Sequence, residues 1–289
     1  MSAMRVFSGL LLALFAAAPS LAAQRPPVPQ VDSTAVVMLR LTDGSDLTGR
    51  VVAADDTSLT IVTLAAARVQ LPRTSIVSWR PLSGQMSARG FRPADPNTSR
   101  LFFGPTARTL EQGNGYFADY YLFFPVVAYG VHDRVMLSAG MSIIPGLSSQ
   151  LLYATAKVGV VRRENVALAV GGFYATVPDE ADAALGTAYG VATFGNADYA
   201  FTFMGGYPFT TQDVAQEPLF MAGAEMRFAR RAKFLGELWK FPETSEVPAV
   251  FGVRWFGDRL AVDFGFAYVA GTITEGWPLI PWVDFAINW

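Results

Sequence analysis

Beyond residue 100, large apolar side chains recur at every second position, in short segments broken by polar or glycine-containing stretches. Residues 260–270 show this most plainly. Leu260, Val262, Phe264, Phe266 and Tyr268 fall on one face, and Ala261, Asp263, Gly265, Ala267 and Val269 on the other. A period of two is the mark of a β-strand. It predicts strands at 100–108, 116–131, 134–144, 150–162, 166–177, 184–195, 198–207, 219–229, 232–241, 248–257, 260–270 and 278–289. Followed back from the C-terminus, the connections alternate: 271–277 long, 258–259 short, 242–247 long, 230–231 short, 209–218 long and 196–197 short. Tight turns at one end and longer loops at the other describe an up-and-down antiparallel barrel. Eleven strands follow from Tyr116 onward, so an even count requires segment 100–108, in spite of its Gly104-Pro105 interruption. The predicted fold is therefore all-β, with an antiparallel barrel of about 10–12 strands.

Composition decides what surrounds such a barrel. The chain is 52% hydrophobic and only 16% charged, against about 25% charged residues in soluble domains. Yet beyond the first two dozen residues no apolar run approaches the roughly 20 needed for a spanning helix. Apolar residues spread through alternating strands are how a transmembrane barrel carries its hydrophobicity. The bulky face then points at lipid. A cation there, near the membrane midplane, costs roughly 2–4 kcal/mol, so charges in mid-strand are expected to face the lumen. This places Asp119, Lys157, Glu225, Arg227, Glu237, Arg254, Asp263 and Asp284 inside, with Tyr153 and Thr155 beside Lys157. Such a set either pairs into a network that seals the lumen or lines a polar path. Aromatic residues near strand ends (Tyr116, Tyr120, Trp239, Trp255, Trp277, Trp282 and Trp289) are expected to form an interfacial girdle.

The two termini point the same way. Val283, Phe285, Ile287 and Trp289 alternate up to an aromatic C-terminus. This resembles the insertion signal of bacterial outer-membrane β-barrels, and the resemblance implies outer-membrane lipid and the barrel-insertion machinery as partners. Residues 1–22 carry one early cation, Arg5, an apolar core and small residues after Pro19, and are expected to be an export signal. With no cysteine in the chain, a lipoprotein anchor, disulfides and thiolate metal sites are excluded.

Residues 23–33 are Pro-rich and read as a tether, and 81–99 as a Gly/Pro/Ser/Arg-rich linker to a barrel at 100–289. Between them, 34–80 holds five predicted strands (36–41, 47–54, 59–63, 68–71 and 76–79), the first hairpin turning at Asp43-Gly44. The stretches Leu39-Arg40-Leu41-Thr42-Asp43-Gly44 and Leu47-Thr48-Gly49-Arg50-Val51-Val52 resemble the start of Sm-like and SH3-like small barrels. That resemblance implies a small closed β module, placed in the periplasm. Sm-like domains elsewhere bind RNA, an activity an exported chain has little occasion for, and a net charge of −2 also speaks against nucleic acid.

Catalytic chemistry is thinly represented. The only histidine, His132, falls in a predicted tight turn beside Asp133. Cys–His and multi-His metal sites cannot be built, and no phosphate-binding glycine loop opens a helix. No cofactor, metal or catalytic residue is expected. A lipid-hydrolysing site on Glu225, Glu237 or His132 is the weakest functional reading. The external loops are acidic (Asp179, Glu180, Asp182, Asp213, Glu217, Glu243, Glu246, Glu275) and the tight turns basic (Arg162, Arg163, Arg230, Arg231, Lys233, Arg259). The leading expectation is a narrow channel or structural element of the outer membrane. The alternative is an anchor that presents the 34–80 module to a periplasmic protein or cell-wall polymer.

Overall fold

A computed structural model describes residues 35–87, 90–178, 184–269 and 279–289. The expected export signal and tether, Asp179, Glu180, Asp182, Glu275, Trp277 and the 271–277 loop lie outside the described residues. The chain divides into two compact units, residues 1–82 and 83–289.

The first unit is an antiparallel sheet of β1 (Val36–Leu41), β2 (Asp46–Ala54), β3 (Ser58–Thr63), β4 (Arg68–Pro72) and β5 (Ile76–Pro81) in the order β4-β3-β2-β1-β5. Asp43 builds its first turn, accepting hydrogen bonds from the Ser45 N–H and hydroxyl while Gly44 takes φ +84°. Strand alternation sends Val37, Leu39, Val51, Leu59 and Ile61 into one core, with Trp79 packed against it. The five strands fall where the periodicity puts them, but the expected closure does not occur. β4 and β5 are the free edges of an open sheet. The three-residue 3-10 turn Arg73–Ser75 separates β4 from β5, and β5 returns to pair with β1 rather than with β4.

The second unit begins with a hairpin, β6 (Gly84–Ser87) and β7 (Gly90–Pro93). Twelve strands then close into an antiparallel barrel. They are β8 (Gly115–Tyr120), β9 (Phe124–His132), β10 (Val135–Met141), β11 (Leu152–Arg163), β12 (Val166–Thr176), β13 (Ala184–Gly195), β14 (Tyr199–Thr210), β15 (Leu219–Ala229), β16 (Ala232–Lys240), β17 (Ala249–Phe256), β18 (Leu260–Tyr268) and β19 (Leu279–Asn288). Closure is made by β19 against β8. Short turns such as 133–134, 164–165 and 230–231 gather at the end that also holds Trp289, and the longer loops gather at the other.

The strand total agrees with the sequence reading, but two members of the set do not. Segment 100–108 contributes no wall strand. The run 116–131, expected as one long strand, folds as the β8–β9 hairpin. Its tip turns at Tyr121 and Leu122, with φ of 55° and 62°. These are left-handed values rarely adopted by residues other than glycine. Splitting this run restores the even strand count that segment 100–108 was invoked to supply.

Side-chain facing follows size and charge. In β18, Asp263 is fully buried and Phe264 is 45% exposed. The same division runs round the wall, where Phe201, Phe203, Phe220, Phe234, Leu238 and Trp255 are all exposed. A band of large apolar side chains this continuous is foreign to water-facing surfaces and suits acyl chains. Val283, Phe285, Ile287 and Trp289 lie on that outer face, Val283, Ile287 and Trp289 exposed and Phe285 half-buried.

Candidate functional site

The lumen is filled from within by the chain that was expected to be a linker and first strand. From β7 the backbone enters at the short-turn end, where Arg227 and Arg230 donate to the carbonyls of Pro93 and Phe91 at 2.9 and 2.8 Å, and Arg92 pairs with Asp198 at 2.8 Å. It climbs through Asp95 and Asn97, reverses at Leu101–Gly104, where the Leu101 N–H meets the Gly104 carbonyl at 2.8 Å, and descends through Thr106 and Arg108. It leaves at the short-turn end again, where Thr109 and Gln112 bond to Asp133. Asp95, Asn97, Ser99, Arg100, Leu101, Phe102 and Thr106 are buried. The loop is packed as tightly as it is bonded. A Cβ added at Gly223 of β15 would lie 2.1 Å from Leu101 Cδ1.

Ion pairs pin the loop to the wall. Arg254 donates to both carboxylate oxygens of Asp263 at 2.7 Å, a bidentate pair, and to the carbonyls of Asn97 and Leu101 at 2.7 Å. It also lies 3.3 Å from Asp95. Arg100, on the loop, bridges Asp263 at 3.0 Å and Asp284 at 2.7 Å. Lys233 joins Asp95 at 2.8 Å to Glu225 at 2.6 Å, and Arg108 pairs with Glu225 as well. Wall and loop thus each contribute both signs of charge to one network. Isolated in a dry lumen, any of these ions would be very costly; paired and hydrogen-bonded, the cost is offset.

Besides Arg254, two more charged wall residues hold the loop through its backbone. Lys157 Nζ donates to the carbonyls of Ser99 and Thr106, both at 2.9 Å, clamping the ascending and descending limbs together. Glu237 accepts from the N–H groups of Phe103 and Gly104 and from the Trp239 indole, capping the apex. The neutral Thr193 hydroxyl accepts from the Ala107 N–H at 2.9 Å.

Of the eight residues assigned to the lumen from sequence, Lys157, Glu225, Glu237, Arg254, Asp263 and Asp284 meet the inserted loop or its ion-pair network directly. Arg227 meets its lower end and lies 3.4 Å from Asp198, not against Glu225. Asp119 stands apart and accepts the Phe124 N–H at 3.1 Å across the β8–β9 turn. Four charged members were missed. Lys233 was grouped with the solvated turn residues, yet it is 1% exposed. Asp95, Arg100 and Arg108 were assigned to a linker and a wall strand. A signal for them existed. Asp95-Pro96-Asn97 and Gly104-Pro105 break the segment twice, leaving no run long enough to cross the wall.

The expected girdle holds in part. Trp255 and Trp289 are exposed on the outer face, whereas Trp239, Trp282 and Tyr116 are buried inside. Trp282 packs edge-on against Phe102 of the loop, and Phe103 lies against Trp239 and Tyr120. His132 sits exposed at the β9–β10 turn, its Nδ1 accepting the Arg134 N–H.

No protein family and no curated protein matches this sequence. Among solved structures, the KdgM porin is similar at a TM-score of 0.43, with 7% identity over 61% of this chain and 95% of that one. The NanC porin gives 0.40 with 7% identity, over 61% and 97%. OmpT of Vibrio cholerae gives 0.33 with 12% identity, over 91% and 100%.

Proposed function

We propose that this protein is an outer-membrane barrel closed to solutes by its own inserted loop, which holds the N-terminal β module on the periplasmic side. The observation that carries the reading is the loop itself. A segment clamped by Lys157 of β11, Lys233 and Glu237 of β16 and Arg254 of β17 is built to stay. The inserted loop enters and leaves at the short-turn end, which in outer-membrane barrels faces the periplasm. The module preceding it therefore belongs to that side, where a protein or cell-wall polymer would be its partner. A small barrel of twelve strands has little lumen to spare, and here a loop occupies it.

Planar-bilayer recording tests the seal. The full-length protein is expected to be silent, and a variant lacking residues 94–108 to conduct; steady current from the intact protein would defeat the proposal. Orientation is tested by thiol labelling, since the chain has no cysteine of its own. In whole cells an impermeant maleimide is expected to label Thr211→Cys, in a long loop. Ser45→Cys, in the module, should react only after the outer membrane is opened.

A further inference from the structure

Beside and beyond the loop apex the lumen has a different lining. It encloses a cavity of about 510 Å³, within the about 300–1,000 Å³ of ordinary ligand sites. Phe103 and Pro105 of the loop form its floor, and Tyr189, Leu219, Trp239 and Trp282 stand in its walls. The charged groups at the floor are already engaged: Arg100 with Asp263 and Asp284, Glu237 with two backbone N–H groups, and Lys157 with two carbonyls. Barrel lumens exposed to water are generally polar; this one offers mostly rings and aliphatic groups, with the hydroxyls of Ser138, Thr155 and Thr187 among them.

Among the described residues the wall beside the cavity is thinnest between β19 and β8. β19 pairs with β18 up to Leu279, but its ladder with β8 stops at Asp284, extended by one bond from the Tyr121 N–H to the Val283 carbonyl. Above that point, among the described residues, the β8–β9 tip is what separates β19 from the chain after β10, where the Ile143 N–H meets the Phe123 carbonyl at 2.8 Å. The rim is apolar: Leu122, Phe123, Ile143 and Val283 are exposed on the lipid side. Between rim and cavity stands Tyr121, its ring 4.7 Å from that of Trp282. Tyr121 and Leu122 hold left-handed backbone angles, the kind of local strain that collects at binding and switching segments.

We propose that this cavity binds a linear aliphatic chain, admitted sideways from the hydrocarbon layer past Tyr121. Among the described residues the lining has no free charge for an ionic ligand, and what lies against the gap is the acyl region itself. An acyl tail of a membrane lipid and a free fatty acid share this chemistry. The proposal rests on the barrel being membrane-embedded, but not on its being closed to ions.

Photolabelling of the full-length protein in phosphatidylcholine vesicles tests it. One arm carries phosphatidylcholine with a diazirine at the end of one acyl chain, the other a free diazirine-bearing dodecanoate. Peptide mapping is expected to find label on Trp239, Trp282 or Phe103 in at least one arm, and on the outer-face residues Phe251 and Phe264 in both. The arm that labels the lumen identifies the source of the chain. Val250→Trp and, separately, Leu219→Trp fill the cavity. Each should abolish the lumen label while keeping the outer label, which also shows that the variant is folded and inserted. Tyr121→Ala should speed lumen labelling. Label confined to the outer face, or lumen label that survives both filling variants, would overturn the proposal. Absence of the outer label would instead overturn the membrane reading beneath it.

Discussion

The two units of this chain bury opposite things. In the N-terminal sheet Leu39, Leu59 and Ile61 are fully shielded, while the Arg40–Asp46 pair lies at the surface. In the barrel Arg254, Asp263 and Asp284 are fully shielded, while Phe201, Phe220 and Phe264 are exposed. The difference is one of solvent. In water, apolar area is what folding removes from contact. In lipid, that drive vanishes at the outer face, and polar groups must find partners inside. Order in the barrel interior therefore comes from ion pairs and backbone hydrogen bonds together with the packing of Leu101 and Phe102, and the inserted loop is where they converge.

The largest expected effect breaks this interior. Arg254→Ala leaves Asp263 without its bidentate partner and removes a donor from the loop carbonyls of Asn97, Arg100 and Leu101. Truncating one member of a buried pair costs about 3–5 kcal/mol. Urea unfolding in micelles should show that loss, and bilayer recordings of the same variant should show current through the loosened lumen. A stability equal to wild type would mean that the network is not what orders the loop.

Next comes a matched pair that isolates solvent. Val77 in the module is 52% exposed and Phe264 in the barrel 45%. Phe264→Lys should cost roughly 2–4 kcal/mol, because the new charge meets hydrocarbon. Val77→Lys should stay within about 1 kcal/mol, the span of strand propensities at an exposed site. Equal costs at the two positions would remove the contrast on which the membrane reading stands.

The same contrast explains what could be read from the sequence. Facing in β18 was legible because bulky and small residues alternate without exception, and because lipid sets a steep cost on Asp263. The five module strands were legible for the ordinary reason, apolar alternation between turn residues. The inserted loop was not. Leu101, Phe102 and Phe103 look like wall strand, since a plug tip buried against lumen aromatics needs the same apolar side chains as a wall. Lys233 was hidden by its place two residues after Arg231, where a turn charge is expected; its even spacing from Glu237 and the ladder, pairing Lys233 with Arg227 and Arg254, turn it inward. The β8–β9 tip had one overlooked sign. A strand spanning 116–131 is longer than the about 9–11 residues a crossing needs.

That tip yields a smaller effect of opposite sign. Left-handed backbone costs a residue with a side chain roughly 1–2 kcal/mol. Replacing Leu122 by Gly should therefore stabilise the barrel by about 1 kcal/mol, visible as a shift in the urea midpoint. Destabilisation would show that Leu122 packing outweighs the turn, and that the tip is held by its side chains.

The smallest effect belongs to the module and to pH. Asp55 caps the turn between β2 and β3, accepting from the Ser58 and Thr57 hydroxyls and from both backbone N–H groups. These bonds, led by the Ser58 hydroxyl, hold its carboxyl well below the usual carboxylate range. A group depressed on folding stabilises the folded state above its unfolded pKa of about 3.9, and loses that contribution as pH falls through the folded value. Between those limits module stability should rise with pH, and Asp55→Ala should flatten the rise while leaving the barrel's acid response unchanged. Fluorescence of Trp79, packed on the module core, can follow the transition. With the other tryptophans replaced by Phe, its midpoint would be compared in wild-type and Asp55→Ala backgrounds from neutral pH downward. An identical pH slope in the two would show that the turn, unlike the lumen, is not held by its carboxylate.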